Sequence, residues 1–235
     1  MPKICVSIAV DNIEELKKQI EEAFALRADY IEVRFDFLKS SQIQEAIKIA
    51  AKVQKKAIFT LRSAEQQGKF KGSNKERIAY LKDLSTFKPM LLDVELHTMR
   101  DNTDLAAYFK KNHTHILISW HDFNQTPPFP MLLDLLEEMK TYSNFIKIVT
   151  TAKDSQDALC LLDLYDHVDG LNLIAFAMGE AGIISRILCT IAGNAPFTYA
   201  ALERPQFSGQ LTIKRMRKVY DRIDTQSRGI YARPT

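Results

Sequence analysis

The chain has 235 residues, 46% of them hydrophobic and 26% charged, which is ordinary globular composition with apolar material for one large core or two small ones. Its formal charge of +3 is spread along the sequence, with no basic block interleaved with aromatics, so nucleic acid is not the expected partner. Cys5, Cys160 and Cys189 have no metal spacing and read as small buried hydrophobes in a reducing compartment; no apolar run approaches the ~18 residues of a membrane span. The opening MPKICVSIAVDN enters a strand directly, without a signal-peptide layout, and a soluble cytoplasmic protein is expected.

In chain order, Lys3–Ile8 reads as a strand, and Asp11 is placed to cap the helix NIEELKKQIEEAFAL. A second strand over Tyr30–Phe35 is followed by a helix from Ser41 to Gln54, and a third over Ala57–Leu61 by a polar loop and a helix from Asn74 to Leu84. Met90–Leu96 is the fourth strand, with Asp101 as a candidate cap for TDLAAYFKK. Strands over Ile116–Trp120 and Phe145–Val149 flank LLDLLEEMK, whose apolar residues recur at helical spacing. A helix over Asp154–Tyr165, a strand over Gly170–Phe176, a helix over Ala181–Ala192, a short strand over Phe197–Ala200 and a helix from Thr212 to Ile223 complete the alternation.

Eight strand–helix units in this length are the signature of a single-domain α/β fold, the (β/α)8 or TIM barrel, over residues 1–223, with a polar C-terminal tail at 224–235. A doubly wound open sheet is the runner-up, disfavoured because the turn after the first strand, SIAVDN, is not glycine-rich. With a side-chain period of two, one face of consecutive strands carries Ser7; Glu32, Arg34 and Asp36; Thr60 and Arg62; Asp93 and Glu95; Ser119 and His121; and Lys147. A purely structural barrel would put Val, Ile and Leu there. Such convergence at strand ends points to chemistry inside the barrel. Lys147, inside an apolar strand, is costly to bury as a cation unless neutral or paired, which is how a Schiff-base lysine is made. Lys153, past the end of that strand, is the weaker candidate.

The runs IEVRFD, TLRSAEQQG, LDVEL, SWHDFNQTP, IKIV, MGEAGIISR and FTYAALERPQFSGQ, in that order from Ile4 to Leu211, resemble type I 3-dehydroquinate dehydratase. The resemblance implies a TIM barrel that dehydrates 3-dehydroquinate to 3-dehydroshikimate, the third step of the shikimate pathway, with no metal and no organic cofactor. It implies Lys147 as the Schiff-base lysine, His121 as general acid and base, and Glu95 as the carboxylate that orients the imidazole. Glu32, Arg34 and Arg62, with Ser7 beside them, fall at substrate-binding positions. Arg186 falls at the position that grips the carboxylate, and Gln206 and Gln210 in the lid loop. Phe176 and Met178 are expected against the substrate ring or the lysine.

The chain departs from the family pattern at Gln66 with a single glycine, Gly68, at the lid run Gln206, Phe207, Ser208, Gly209, Gln210, and in GNAPFTY, which is one residue longer. Two other readings compete. A class I aldolase or transaldolase predicts a phosphate-gripping loop after the last strands, of which MGEAG is only a weak form. A non-catalytic paralogue that binds the same ligand is suggested by the altered lid alone. The residues leave the oligomeric state open, with a homodimer among the options.

Overall fold

The structure is a computed structural model that describes residues 1–205 and 207–231, with side chains described through residue 224. Among the described residues, eight parallel strands form one sheet: β1 (Ile4–Ile8), β2 (Tyr30–Arg34), β3 (Ala57–Thr60), β4 (Leu91–Glu95), β5 (Ile116–His121), β6 (Phe145–Thr151), β7 (Asn172–Met178) and β8 (Thr198–Ala201). The order β7-β6-β5-β4-β3-β2-β1-β8 runs almost completely around a barrel. The connecting helices are α1 (Ile13–Ala25), α2 (Ser40–Ala51), α3 (Asn74–Thr86), α4 (Leu96–Asp101), α5 (Thr103–Lys111), α6 (Phe129–Lys140), α7 (Ser155–Asp163), α8 (Ile183–Leu188) and α9 (Ile213–Tyr231). None of the described helices is long and apolar enough to cross a membrane.

The two faces of each strand feed two cores. Residues such as Val6, Ile31, Val33, Phe59, Val94, Ile118 and Ile148 point outward and pack against apolar helix faces. The inward set begins apolar at the amino ends, with Cys5, Ile58, Leu91, Leu117 and Ile174 in one cluster. Two residues further along, the inward positions become Ser7, Thr60, Asp93 and Ser119. The period of two thus fills the barrel's base with hydrocarbon and its upper end with polar groups.

Local signals set the helix starts, and two expected caps differ. Asn12, one residue after Asp11, caps α1, its side chain accepting from Glu15 N at 2.9 Å. Asp101 does not cap the helix that follows; it ends the short α4, and Asn102 precedes α5 without a side-chain cap bond. Asp154 caps α7, accepting from Gln156 N and Asp157 N. Helix α8 covers only part of the expected Ala181–Ala192 span. Helix α9 continues to Tyr231, so the boundary drawn at Ile223 falls inside it.

A fully closed ring is expected from the sequence, but no ladder joins β7 to β8 among the described residues. Side chains take that ladder's place. The Tyr165 hydroxyl accepts from Ala175 N at 2.7 Å and donates to Ala175 O at 3.1 Å, and Ser185 Oγ accepts from Ala177 N at 2.9 Å. These are alternate residues of β7, the set whose backbone groups point away from β6, so side chains meet amides that a neighbouring strand would otherwise pair. Tyr165→Phe and Ser185→Ala each strip a partner from one of these amides. Each is expected to cost about 1–3 kcal/mol, read as a lowered urea midpoint with an unchanged slope.

Candidate active site

Strand register brings the polar inward positions to one level. Ser7 pairs with Glu32, Thr60 with Asp93, Glu95 with Ser119, and Ser119 with Lys147, while His121 pairs with Val149. His121 and Lys147 therefore project from neighbouring strands into the same cavity at the carboxyl end of the barrel, which Ser7, Glu32, Arg34, Arg62, Arg186 and Gln210 also line. Exposed Lys153 is not among the lining residues.

Lys147 is 4% exposed, and its ammonium donates to Asp93 Oδ2 at 2.5 Å and Glu32 Oε1 at 3.5 Å. It also lies 4.9 Å from the centre of the Tyr199 ring, close enough for the ring face to share in holding the cation. Arg62 donates to the other Asp93 oxygen at 2.9 Å and to Ser119 Oγ at 2.7 Å. Glu32 accepts from Ser7 Oγ and Thr60 Oγ1, at 2.7 and 3.0 Å. Arg34 forks onto Asp36 through two bonds of 2.8 Å. The chain of ions alternates in sign from Glu32 through Lys147, Asp93, Arg62 and Glu95 to Arg77 of α3. Alternation offsets the cost of removing each ion from water.

Arg186 stands outside this balance. Among the described residues no carboxylate lies within ion-pair range of it, its Nε has no hydrogen-bond partner, and Nη1 reaches only the Tyr199 carbonyl at 3.5 Å. Burial pushes its pKa down to about 10. Its guanidinium lies over the Phe176 ring, 4.1 Å from the centroid. Helix α8 starts at a tight turn in which a Cβ on Gly182 would sit 2.5 Å from the Ala177 and Met178 carbonyl oxygens, and that turn delivers Arg186 to the cavity.

Of the residues named from the sequence, one has a different partner from that expected and one cannot be placed. Glu95 is not hydrogen bonded to His121: Oε1 accepts from Ser63 N at 2.9 Å, and Oε2 accepts from Arg77 at 2.8 Å and from Thr98 Oγ1 at 3.3 Å. Its lone pairs are taken by the loop after β3 and by α3, which the strand pattern does not reveal. His121 instead stacks on Phe123, with centroids 5.6 Å apart and planes 5° from parallel, and its Nδ1 is enclosed without a partner among the described residues. Gln206 lies outside the described residues. Gln210, further along that loop, lines the cavity, and Phe207 sits exposed at its mouth. Gly209, at φ +76, lies so close to Gly179 that a Cβ would come within 2.0 Å of its carbonyl oxygen, so only glycine lets the loop touch the end of β7.

Three groups were not given a role from the sequence. Asp93 sits on the expected inward face and is the direct partner of Lys147; its period-two relation to Glu95 is the signal that could have found it. Tyr199 and Arg77 carried none, because β8 is short and Arg77 lies on a helix rather than on a barrel strand.

A protein-family model described as Type I 3-dehydroquinase matches residues 4–227. The chain belongs to the type I 3-dehydroquinase family. It is 34% identical over 226 residues to a Dehalococcoides mccartyi 3-dehydroquinate dehydratase, covering 95% of this chain and 96% of that one. It is 31% identical over 207 residues to the Pyrococcus abyssi 3-dehydroquinate dehydratase, covering 88% and 93%. Among solved structures, the type I 3-dehydroquinate dehydratase of Clostridium difficile superposes with a TM-score of 0.84 at 26% identity, over 94% of this chain and 92% of that one. The Aquifex aeolicus 3-dehydroquinate dehydratase gives 0.79 at 26%, over 94% and 98%.

The electrostatics of this family member's barrel have a definite sign. Burial pushes the Asp93 carboxyl up, but Arg62 and then Lys147 outweigh it and hold the group well below the usual range. Glu32 is lowered in the same way, burial opposed by Lys147 and Arg34, and Glu95 by Arg62 and Arg77. His121 is held well below its ordinary 6.5 by burial, then by Arg62 and Lys147, with Asp93 acting in the opposite sense. The imidazole is therefore neutral near pH 7.

All four groups are more acidic in the native than in the unfolded chain, so stability falls wherever the unfolded state takes up protons that the native state refuses. Unfolding free energy is expected to be level between about pH 7 and 8, below the range where the buried thiols and phenols titrate in the unfolded chain, and to decline as pH falls below 6.5, where unfolded His121 charges. The decline steepens below pH 4.5, where the unfolded glutamates protonate. Urea titrations at a series of pH values check this, and Asp93→Asn should flatten the acidic part of the profile.

Proposed function

We propose that this chain dehydrates 3-dehydroquinate to 3-dehydroshikimate through a Schiff base on Lys147, with His121 as general acid and base. The observation that carries the reading is a buried amine between two carboxylates, with a neutral imidazole on the adjacent strand facing the same cavity. Family membership supports the substrate and the overall reaction.

Arg186, the buried cation without a carboxylate, receives the substrate carboxylate, for which its planar fork is suited. Glu32, Arg34, Arg62 and Ser7 meet the ring hydroxyls, and Gln210 closes over them, with Gln206 assigned to the same loop. Lys147 passes a proton to His121, and its free amine attacks the ring ketone. His121 returns that proton to the former carbonyl oxygen, which takes a second from the nitrogen and leaves as water as the C=N bond forms, with the positive charge now on the iminium nitrogen. That charge occupies the place of the ammonium, between Asp93 and Glu32, so the ion balance is the same before and after.

The iminium draws electrons from the neighbouring C–H bond. Neutral His121 removes that proton, the electron pair forms an enamine, and the enamine expels the β-hydroxyl while His121 returns the proton to it. One imidazole can do both when proton and hydroxyl leave from the same side of the ring. Water then hydrolyses the iminium, and the net change is the loss of one water. In this scheme Glu95 acts through Arg62, which it approaches at 3.8 Å, rather than by a bond to the imidazole.

Borohydride added with 3-dehydroquinate is expected to leave a reduced adduct that peptide mass spectrometry maps to Lys147, absent in Lys147→Met. Binding without an adduct would remove the Schiff base from the scheme and favour a non-catalytic ligand-binding protein. His121→Ala should lower kcat by about 10²–10⁴-fold while retaining ligand-induced thermal stabilisation. Arg186→Met should lose that stabilisation.

A further inference from the structure

Helix α3 sends one side chain into the ionic interior that no strand supplies. Arg77 is 2% exposed. Its Nη1 donates to Glu95 Oε2 at 2.8 Å and to the Leu61 carbonyl at 3.3 Å, and its Nη2 donates to Thr98 Oγ1 and to Asn74 Oδ1. Four acceptors from the end of β3, β4, α4 and its own helix hold the guanidinium. Glu95 in turn faces Arg77 from α3, Arg62 at 3.8 Å from the loop after β3, and Asp93 from its own strand. Arg77 is thus the closer of two counterions to a carboxylate that pairs, across β4–β5, with the residue two before His121.

We propose that Arg77 is a positioning residue for the dehydration: by neutralising and fixing Glu95 from behind, it leaves the positive charge of Arg62 directed at His121 and keeps the imidazole in its neutral, basic form. The proposal rests on the reading of His121 as the general base. The groups that face His121 are Arg62 after β3, Lys147 of β6, Arg34 of β2 and Asp93 of β4, with Phe123 stacked on the ring. Three cations against one acid disfavour imidazolium. Without Arg77, Glu95 draws on Arg62 alone, and Arg62, which lines the cavity with His121 and donates to Ser119 two residues before it, offers less positive charge to the imidazole. That change favours the protonated ring. A role confined to packing α3 against the barrel would lower stability and leave the titration of His121 where it is.

The test follows His121 by NMR in protein labelled at its histidine rings, with the signal assigned by its absence in His121→Asn, alongside pH profiles of kcat/KM. In Arg77→Met the His121 midpoint is expected to rise by about one pH unit, and the acid limb of kcat/KM with it. Below the wild-type limb that is a tenfold loss, since one unit is a factor of ten in protonation. Arg77→Lys, which keeps the charge, should restore most of the shift. Arg77→Met/Glu95→Gln, which removes both ions, should return the midpoint close to the wild-type value. Thr98→Val removes an anchor of Arg77 and a bond to Glu95; its smaller rise of the same sign covers the case in which Arg77→Met does not fold. A folded Arg77→Met with an unshifted His121, or no rise in Thr98→Val when Arg77→Met is unfolded, overturns the proposal whatever happens to kcat. The ring titration needs no turnover, so wild-type protein inactive on 3-dehydroquinate would defeat the functional reading while this measurement still judged Arg77.

Discussion

Lys147 is the constraint around which the barrel is arranged. An ammonium enclosed by protein is tolerable only with counter-charge at contact distance, and Asp93 and Glu32 provide it from two other strands. Those carboxylates need cations of their own, supplied by Arg62 and by Arg34, the latter also clasping Asp36. Arg62 also approaches Glu95, and Glu95 requires Arg77. Counting outward, four acids (Glu32, Asp36, Asp93, Glu95) meet four bases (Arg34, Arg62, Arg77, Lys147) in pairs at 2.5–3.8 Å. A hydrocarbon layer beneath them, with Cys5, Ile58, Leu91, Leu117 and Ile174, fixes the height at which the strands present these groups.

That balance gives Arg186 its meaning. Among the described residues it is the buried cation of the cavity with no carboxylate beside it, and in the proposed function a monoanionic ligand would restore neutrality there. In the proposed scheme the ketone chemistry would leave the balance undisturbed, because an iminium carries the same charge as the ammonium it replaces. The state out of balance would be the free amine, and His121, kept neutral by its surroundings, is suited to take the proton that Lys147 would shed.

Much of this arrangement was legible in the sequence. A period of two in six consecutive strands put Ser7, Glu32, Thr60, Asp93, Ser119 and Lys147 on one face, and parallel register placed them at one level. What could not be read was which ion pairs with which. Glu95 and His121 lie on adjacent strands and look like partners along the chain, yet Arg77, from a helix outside the barrel, competes for the carboxylate. Pairing between elements depends on side-chain reach across packed layers, which periodicity does not encode. The seam escaped for the same reason: Tyr165 and Ser185 read as ordinary helix residues, and only the three-dimensional closure shows that they stand in for a strand. The cap of α1 was missed by a single residue, Asn12 instead of Asp11, where two equally good capping side chains adjoin.

The seam also separates the barrel's walls by how they open. Strands β1 to β6 are each locked on both sides by backbone ladders, so none can move without breaking several bonds together. The β8-facing edge of β7 hangs instead on individual side chains, and two side-chain rotations free the amides of Ala175 and Ala177. Transient opening therefore begins on that side at a lower cost than elsewhere in the sheet. Phe176 and Met178, on the cavity side of the same strand, move with it. Solvent exchange at these two amides is thus a gauge of how often the cavity wall breathes while the rest of the barrel stays shut.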